Sequence, residues 1–135
     1  MNPQPLDSDE IRLLTEIGFV AAGAAQVGRA EEIFSALVHL RPQRAFPYVG
    51  WAVAHLNAGQ AQEAVNVLDR AKAAGRIRHD SAELVEIETF RGLALQMASR
   101  TAESRRALEW AAAREESSST GRRLARRLLG LELVE

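Results

Sequence analysis

Apolar residues recur at intervals of three and four along most of the chain, the spacing that lines one face of an α-helix. Asp7 and Glu10 form a D-x-x-E capping box, with Leu6 and Ile11 placed to staple across it, so a first helix starts there. Ile11, Leu14, Ile17, Val20 and Ala21 make its apolar stripe, and Gly23 with the following Ala-Ala-Gln-Val-Gly run ends it. A second helix from about Arg29 carries Ala30, Ile33, Phe34, Leu37 and Leu40 until Pro42 stops it. Pro47 suits the first turn of a third, which reaches about Ala58. Gly59 makes the turn into a fourth, running from about Ala61 to Gly75.

Beyond a connector at 76–79, Asp80 and Glu83 repeat the capping box and open a fifth helix. Its apolar side holds Leu84, Ile87, Phe90, Leu93, Ala94 and Met97. Thr101 is a good N-cap for a sixth, which carries Ala107, Leu108, Ala111 and Ala112. Ser117, Ser118 and Ser119 read as a polar linker, and Thr120 caps a last helix over 120–133 with Leu124, Leu128, Leu129 and Leu131 on one side. The pattern predicts seven helices and no strand.

Sliding the chain by 34 residues lays it on itself. Leu14 falls on Tyr48, Ile17 on Trp51, Gly18 on Ala52, Ala30 on Ala64, Phe34 on Leu68 and Leu37 on Ala71. A third copy is looser: Phe90-Arg-Gly-Leu93-Ala94 repeats Tyr48-Val-Gly-Trp51-Ala52 about eight residues late, which implies a longer connector or helix around 77–85. Small residues within each pair let two helices approach closely, while large ones fill the gaps between neighbouring pairs.

This pattern resembles the tetratricopeptide repeat (TPR). Gly18, Ala30, Phe34 and Pro42 match it in the first copy, and Tyr48, Trp51, Ala52, Gly59, Ala64, Leu68 and Ala71 in the second. The resemblance implies an all-α, right-handed solenoid of helical hairpins, a single domain over 1–135. Its repeats fall near 11–44, 45–78 and 80–116, and the helix at 120–133 caps the stack. Within that family the phrase AEEIFSALVHLRP, followed by a hairpin with LNAGQ, resembles the small chaperones of bacterial type III secretion. Those hold needle or translocator components in the cytoplasm before export.

In such repeats the first helix of each pair lines a concave groove. Carried onto this chain, the groove positions are Phe46, Val49, Val53, Leu56 and Asn57 in the second copy. They are Arg12, Thr15, Phe19, Ala22 and Gly23 in the first, and Glu88, Arg91, Leu95, Ala98 and Ser99 in the third. The groove is then mostly apolar at its centre, fit for a hydrophobic helix or extended peptide, with Asn57 and Arg91 offering polar contacts. The competing reading packs Val49, Val53 and Leu56 against the chain's own cap. A carboxylate clamp on the groove needs lysines, and the single lysine, Lys72, sits on an outer helix.

Composition narrows the function classes. Aromatics are 5% of 135 residues and alanine is abundant, which favours close-packed helices over sheets. With net charge −1, overall charge does not imply nucleic acid or membrane. The absence of cysteine excludes disulfides, zinc thiolates and thiol catalysis, and no apolar run approaches the length of a membrane span. The first residues, MNPQPLDSDE, lack the basic start and apolar run of a secretory signal. His39, His55 and His79 have no metal-ligand spacing, no Gly-rich phosphate loop occurs, and no constellation suggests an enzyme or cofactor. Arg122, Arg123, Arg126 and Arg127 charge the last helix; without interleaved aromatics, they read as the solvated side of a cap rather than a nucleic-acid contact, while its leucines are a possible homodimer contact. The reading is a protein-binding module, of chaperone type or, alternatively, a general scaffold or self-associating adaptor.

Overall fold

Asp7 opens the first helix as the sequence predicts. Its carboxylate accepts the Glu10 N–H at 2.8 Å, and the Glu10 carboxylate accepts the Asp7 N–H at 2.9 Å. In the computed structural model, which describes residues 5–114, six helices follow in order. They are α1 (Ser8–Gly23), α2 (Val27–Leu40), α3 (Phe46–Asn57), α4 (Ala61–Ala73), α5 (Ala82–Met97) and α6 (Thr101–Ala112), with no strand among the described residues. The predicted helix at 120–133, with its arginines and leucines, lies outside the described residues.

Each helix packs on the next, giving three hairpins, α1–α2, α3–α4 and α5–α6. The leading helices also touch one another, α1 on α3 and α3 on α5, whereas α2, α4 and α6 do not. The leading helices therefore form a continuous inner layer, and the trailing helices splay apart on the outside.

The three hairpin turns are superimposable in their bonding. Gln26, Gln60 and Arg100 donate their N–H groups to Ala21, His55 and Leu95 at 2.9, 2.8 and 2.8 Å. The residue before each donor is left-handed: Ala25 (φ 58°), Gly59 (φ 75°) and Ser99 (φ 63°). Glycine adopts that conformation freely, while Ala25 and Ser99 each carry a strain of about 1–2 kcal/mol.

These turns set the repeat register. The second copy follows the first by 34 residues, as the sequence predicts, and the third follows the second by 40. The third copy is thus six residues late rather than eight. Gly92, Ser104 and Leu108 stand where Ala52, Ala64 and Leu68 stand in the second hairpin, and Glu88 and Arg91 occupy the places of Tyr48 and Trp51. Phe90, Leu93 and Ala94, expected at those packing positions, align instead with Gly50, Val53 and Ala54. Ala94 is still buried, and Phe90 and Leu93 pack half-buried against the core.

Small residues do what the repeat requires. Ala30, Ala52 and Ala64 are fully buried, and the Ser104 hydroxyl donates to the Gly92 carbonyl at 2.6 Å where two helices cross. Phe34, wholly buried, sits in a slot between Gly18 of α1 and Gly50 of α3, where a β-carbon would meet its ring at 2.8 and 2.2 Å. Phe19 packs edge-on against the same ring, centroids 5.0 Å apart. Burying such a ring contributes about 1.5–3 kcal/mol.

Three local expectations change. Ile17 and Val20 were predicted in the buried stripe of α1, yet they are 43% and 73% exposed; the buried side runs through Ile11, Gly18, Ala21 and Ala22. Their equivalents, Trp51 with Arg91 and Ala54 with Ala94, have a preceding hairpin beside them, whereas among the described residues α1 has none. The N-cap of α5 is Ser81, not Asp80, and Thr101 is the first residue of α6 rather than its cap. Glu83 instead caps across the stack: its carboxylate accepts the Ala45 N–H at 2.6 Å at the start of α3 and pairs with Arg44 at 3.2 Å.

Candidate functional site: the inner face

The inner layer presents side chains in rows, one from each leading helix, because the hairpins repeat with fixed orientation. The turn register aligns Phe19, Val53 and Leu93 in one row and Ala22, Leu56 and Gln96 in the next. Asn57 and Met97 stand together near the turns, and Phe46 and Glu86 at the opposite end. Phe19 is 38% and Met97 53% exposed, and Val53, Leu93 and Phe46 are half-buried. Together these make a discontinuous apolar strip across three helices.

Several groove residues read from the sequence belong elsewhere. Val49 and Leu56 are buried and serve the core. Leu95, fully buried, aligns with Ala21 and His55 and faces no groove. Arg91 points to α4, where its Nε lies 2.7 Å from the Asp69 carboxylate and its Nη1 3.4 Å from Glu88; Glu88 also meets Lys72 at 3.2 Å. The cause is the two-residue error in the third register, since two residues turn a helix by more than half a revolution. Asn57 does lie at the inner edge, but its amide donates to the Ala22 carbonyl at 2.8 Å and ties α3 to α1.

Leu93, Met97 and Glu86 are the residues that the sequence reading did not place in the groove. The signal was there in the turns: Ala-Ala25-Gln, Ala-Gly59-Gln and Ala-Ser99-Arg align without a gap. Burial raises the Glu86 pKa above the ordinary 4.5, Glu83 raises it further, and Arg44 opposes both. This end of the strip is therefore a desolvated acid beside Phe46, whose ring lies 5.6 Å from the Arg44 guanidinium carbon. His55 is a packed histidine, buried with its Nδ1 2.8 Å from the Gln60 amide oxygen.

Solved structures of the same architecture are the deciding comparison. One is PcrH in complex with the chaperone binding region of PopB, with a TM-score of 0.71 at 16% identity over 96% of this chain and 99% of that one. Two others are TPR domains, those of Arabidopsis OM64 and the first of human RPAP3. The fold is that of the tetratricopeptide repeat. The OM64 domain gives a TM-score of 0.61 at 20% identity, covering 90% of this chain and 96% of that one. The RPAP3 domain gives 0.61 at 16%, covering 93% and 97%. No protein-family model and no curated protein matches the sequence.

The inner face offers apolar contact through Phe19, Phe46, Val53, Leu93 and Met97, with Asn57, Gln96 and Glu86 beside them. Among the described residues no cluster of His, Asp and Glu is arranged to hold a metal ion. No described helix is long and apolar enough to cross a membrane.

Proposed function

We propose that the chain is a non-enzymatic, cytosolic chaperone that holds a type III secretion component of needle or translocator type. An apolar helix or extended segment of the client lies across Phe19, Val53 and Leu93, with Phe46 and Met97 at the ends. The observation that carries this reading is the apolar strip of the inner layer, exposed at Phe19 and Met97 and half-exposed at Phe46, Val53 and Leu93. The likeness to PcrH, solved with a chaperone binding region of another protein, supports it. So does the resemblance of the sequence itself to secretion chaperones.

The test is affinity capture from the native cytosol, read by mass spectrometry, with the wild-type chain and with Val53→Asp and Leu93→Asp. A small helical partner co-purifies with the wild type and is lost from both variants while helicity is unchanged. A partner retained by both variants sinks the inner-face site.

Self-association is the second reading, favoured by the outer edge of α1. Leu13, Ile17 and Val20 are 58%, 43% and 73% exposed at spacings of four and three, on the side where α3 and α5 each meet a preceding hairpin. In that reading the purified chain forms a stable oligomer that light scattering registers, and Leu13→Glu with Val20→Glu returns it to monomer.

A further inference from the structure

The apolar strip of the inner layer differs between its two ends. The turn register that aligns Phe19, Val53 and Leu93 puts Arg12, Phe46 and Glu86 in one row at the end away from the turns. Asn57, Gln96 and Met97 at the turn end carry no charge. Arg12 and Glu86 are therefore the charged residues of these rows, and their surroundings are unlike.

Arg12 stands in solvent on α1 and is answered from its own helix by Glu16 at 3.7 Å. Glu86 is half-buried on α5, and its carboxylate has no ion pair or hydrogen-bond partner among the described residues. Arg44, the cation that works against the rise of its pKa, is bonded to Glu83 at 3.2 Å. Burial outweighs Arg44, and the Glu86 pKa stays above the ordinary value. Its oxygens are nevertheless open to an incoming group: among the described residues, the sealed side-chain polar atom without a partner is the Trp51 indole nitrogen.

The neighbouring acids are already engaged. Glu83 accepts the Ala45 N–H at 2.6 Å besides pairing with Arg44, and Glu88 meets Lys72 at 3.2 Å and Arg91 at 3.4 Å on the α4 side. An acid fully in water gains little from a cation, because solvent screens it. Glu86 has lost part of that solvent and received no partner in exchange, so a cation arriving with apolar neighbours relieves it.

We propose, resting on the inner-face reading above, that Glu86 selects and orients the client: the segment on the strip carries a lysine or arginine beside its apolar positions, and this cation pairs with Glu86. The helix fixes the spacing. Leu93 and Glu86 are seven residues apart on α5, about 10 Å along its axis. An extended polypeptide covers that distance in about three residues. A basic residue three places beyond the apolar anchor on Leu93 then reaches Glu86, with its aliphatic stem on Phe46. A segment turned end for end sets the same cation among the uncharged residues at the turns, so the pair favours one direction of docking.

The probe is acetyl-Leu-Ala-Leu-Ala-Ala-Lys amide, compared with the same peptide ending in Gln, titrated at neutral pH into the ¹⁵N-labelled chain. Both peptides shift the Val53 and Leu93 amide resonances, and the Lys peptide binds about three- to tenfold more tightly. Glu86→Gln removes that preference with far-UV dichroism unchanged, and Arg12→Gln leaves it intact. Equal binding of the two peptides to the wild-type chain, or a preference that survives Glu86→Gln, overturns the role of Glu86 and leaves the inner-face site standing. Peptides that move neither resonance overturn both.

Discussion

Gly50→Ala adds a single methyl group at the centre of the molecule, and its effect follows from one distance. The new β-carbon would lie 2.2 Å from Phe34 Cζ and 2.6 Å from two neighbouring ring carbons, far inside van der Waals contact. Phe34 is fully buried, wedged between α1 and α3 with Phe19 against it, so the ring has no free volume to enter. Overpacking of this kind costs about 1–3 kcal/mol and here belongs near the top of that range. Replacing glycine by alanine inside a helix returns about 1 kcal/mol, leaving a net loss of about 2 kcal/mol. For a domain of this size that lowers Tm by roughly 6–10 °C. Gly23→Ala is the control, because nothing lies within 4 Å of its β-carbon and its φ is negative; it gains a few tenths of a kcal/mol or more. Thermal and urea unfolding of both variants, and of Gly50→Ala with Phe34→Leu to relieve the clash, measure the effect. A Gly50→Ala chain as stable as Gly23→Ala would refute the slot packing of Phe34.

Three further outcomes are expected. Glu83→Gln weakens the link between the α3 start and α5 and lowers unfolding stability by about 1–2 kcal/mol, measured by urea denaturation. Glu86 has a folded-state pKa raised by burial, so the folded chain binds its proton more tightly than the unfolded one and loses stability as pH rises from 4.5 through the raised value. Glu86→Gln therefore stabilises at pH 7, and its advantage disappears below about pH 4, which denaturant midpoints at the two pH values test. Arg91→Ala leaves Glu88 with Lys72 alone and takes the partner from the half-exposed Asp69, and it costs about 1–3 kcal/mol, whereas Arg91→Met with Glu88→Leu costs less than Arg91→Ala alone, as a double-mutant cycle shows.

The first six helices, their hairpin pairing and the small-residue contacts were legible because they depend on local periodicity and on 34-residue self-similarity. Asp7 with Glu10, the Gly59 turn and the burial of Ala30 and Ala64 all follow from residues near in sequence. The third register was misread because the eye follows aromatics: Phe90 with Leu93 looks like Tyr48 with Trp51. The backbone follows the turn instead, and the turn at Ser99 carries no glycine to announce it. The exposure of Val20 was illegible for another reason. Periodicity states which side of a helix is apolar, and only position in the stack states whether another hairpin covers it.

The corrected register exposes a pairing rule between hairpins. Ser35 and Val38 of α2 stand where Asp69 and Lys72 of α4 stand, and they face Tyr48 and Trp51 where the latter face Glu88 and Arg91. One junction is uncharged at these four positions and the next is charged at all four. A hairpin docked at the wrong junction would then bury charges without partners, so the two junctions discriminate the order of the stack. Trp51→Arg tests this by placing the third hairpin's cation in the second. Alone, it sets a guanidinium in a mostly buried site with no acid nearby and costs about 3–5 kcal/mol. Adding Ser35→Asp supplies the carboxylate that Arg91 finds in Asp69 and restores about 1–2 kcal/mol of that loss. Urea denaturation of the single and paired variants measures both quantities, and additivity of the two substitutions would refute the rule.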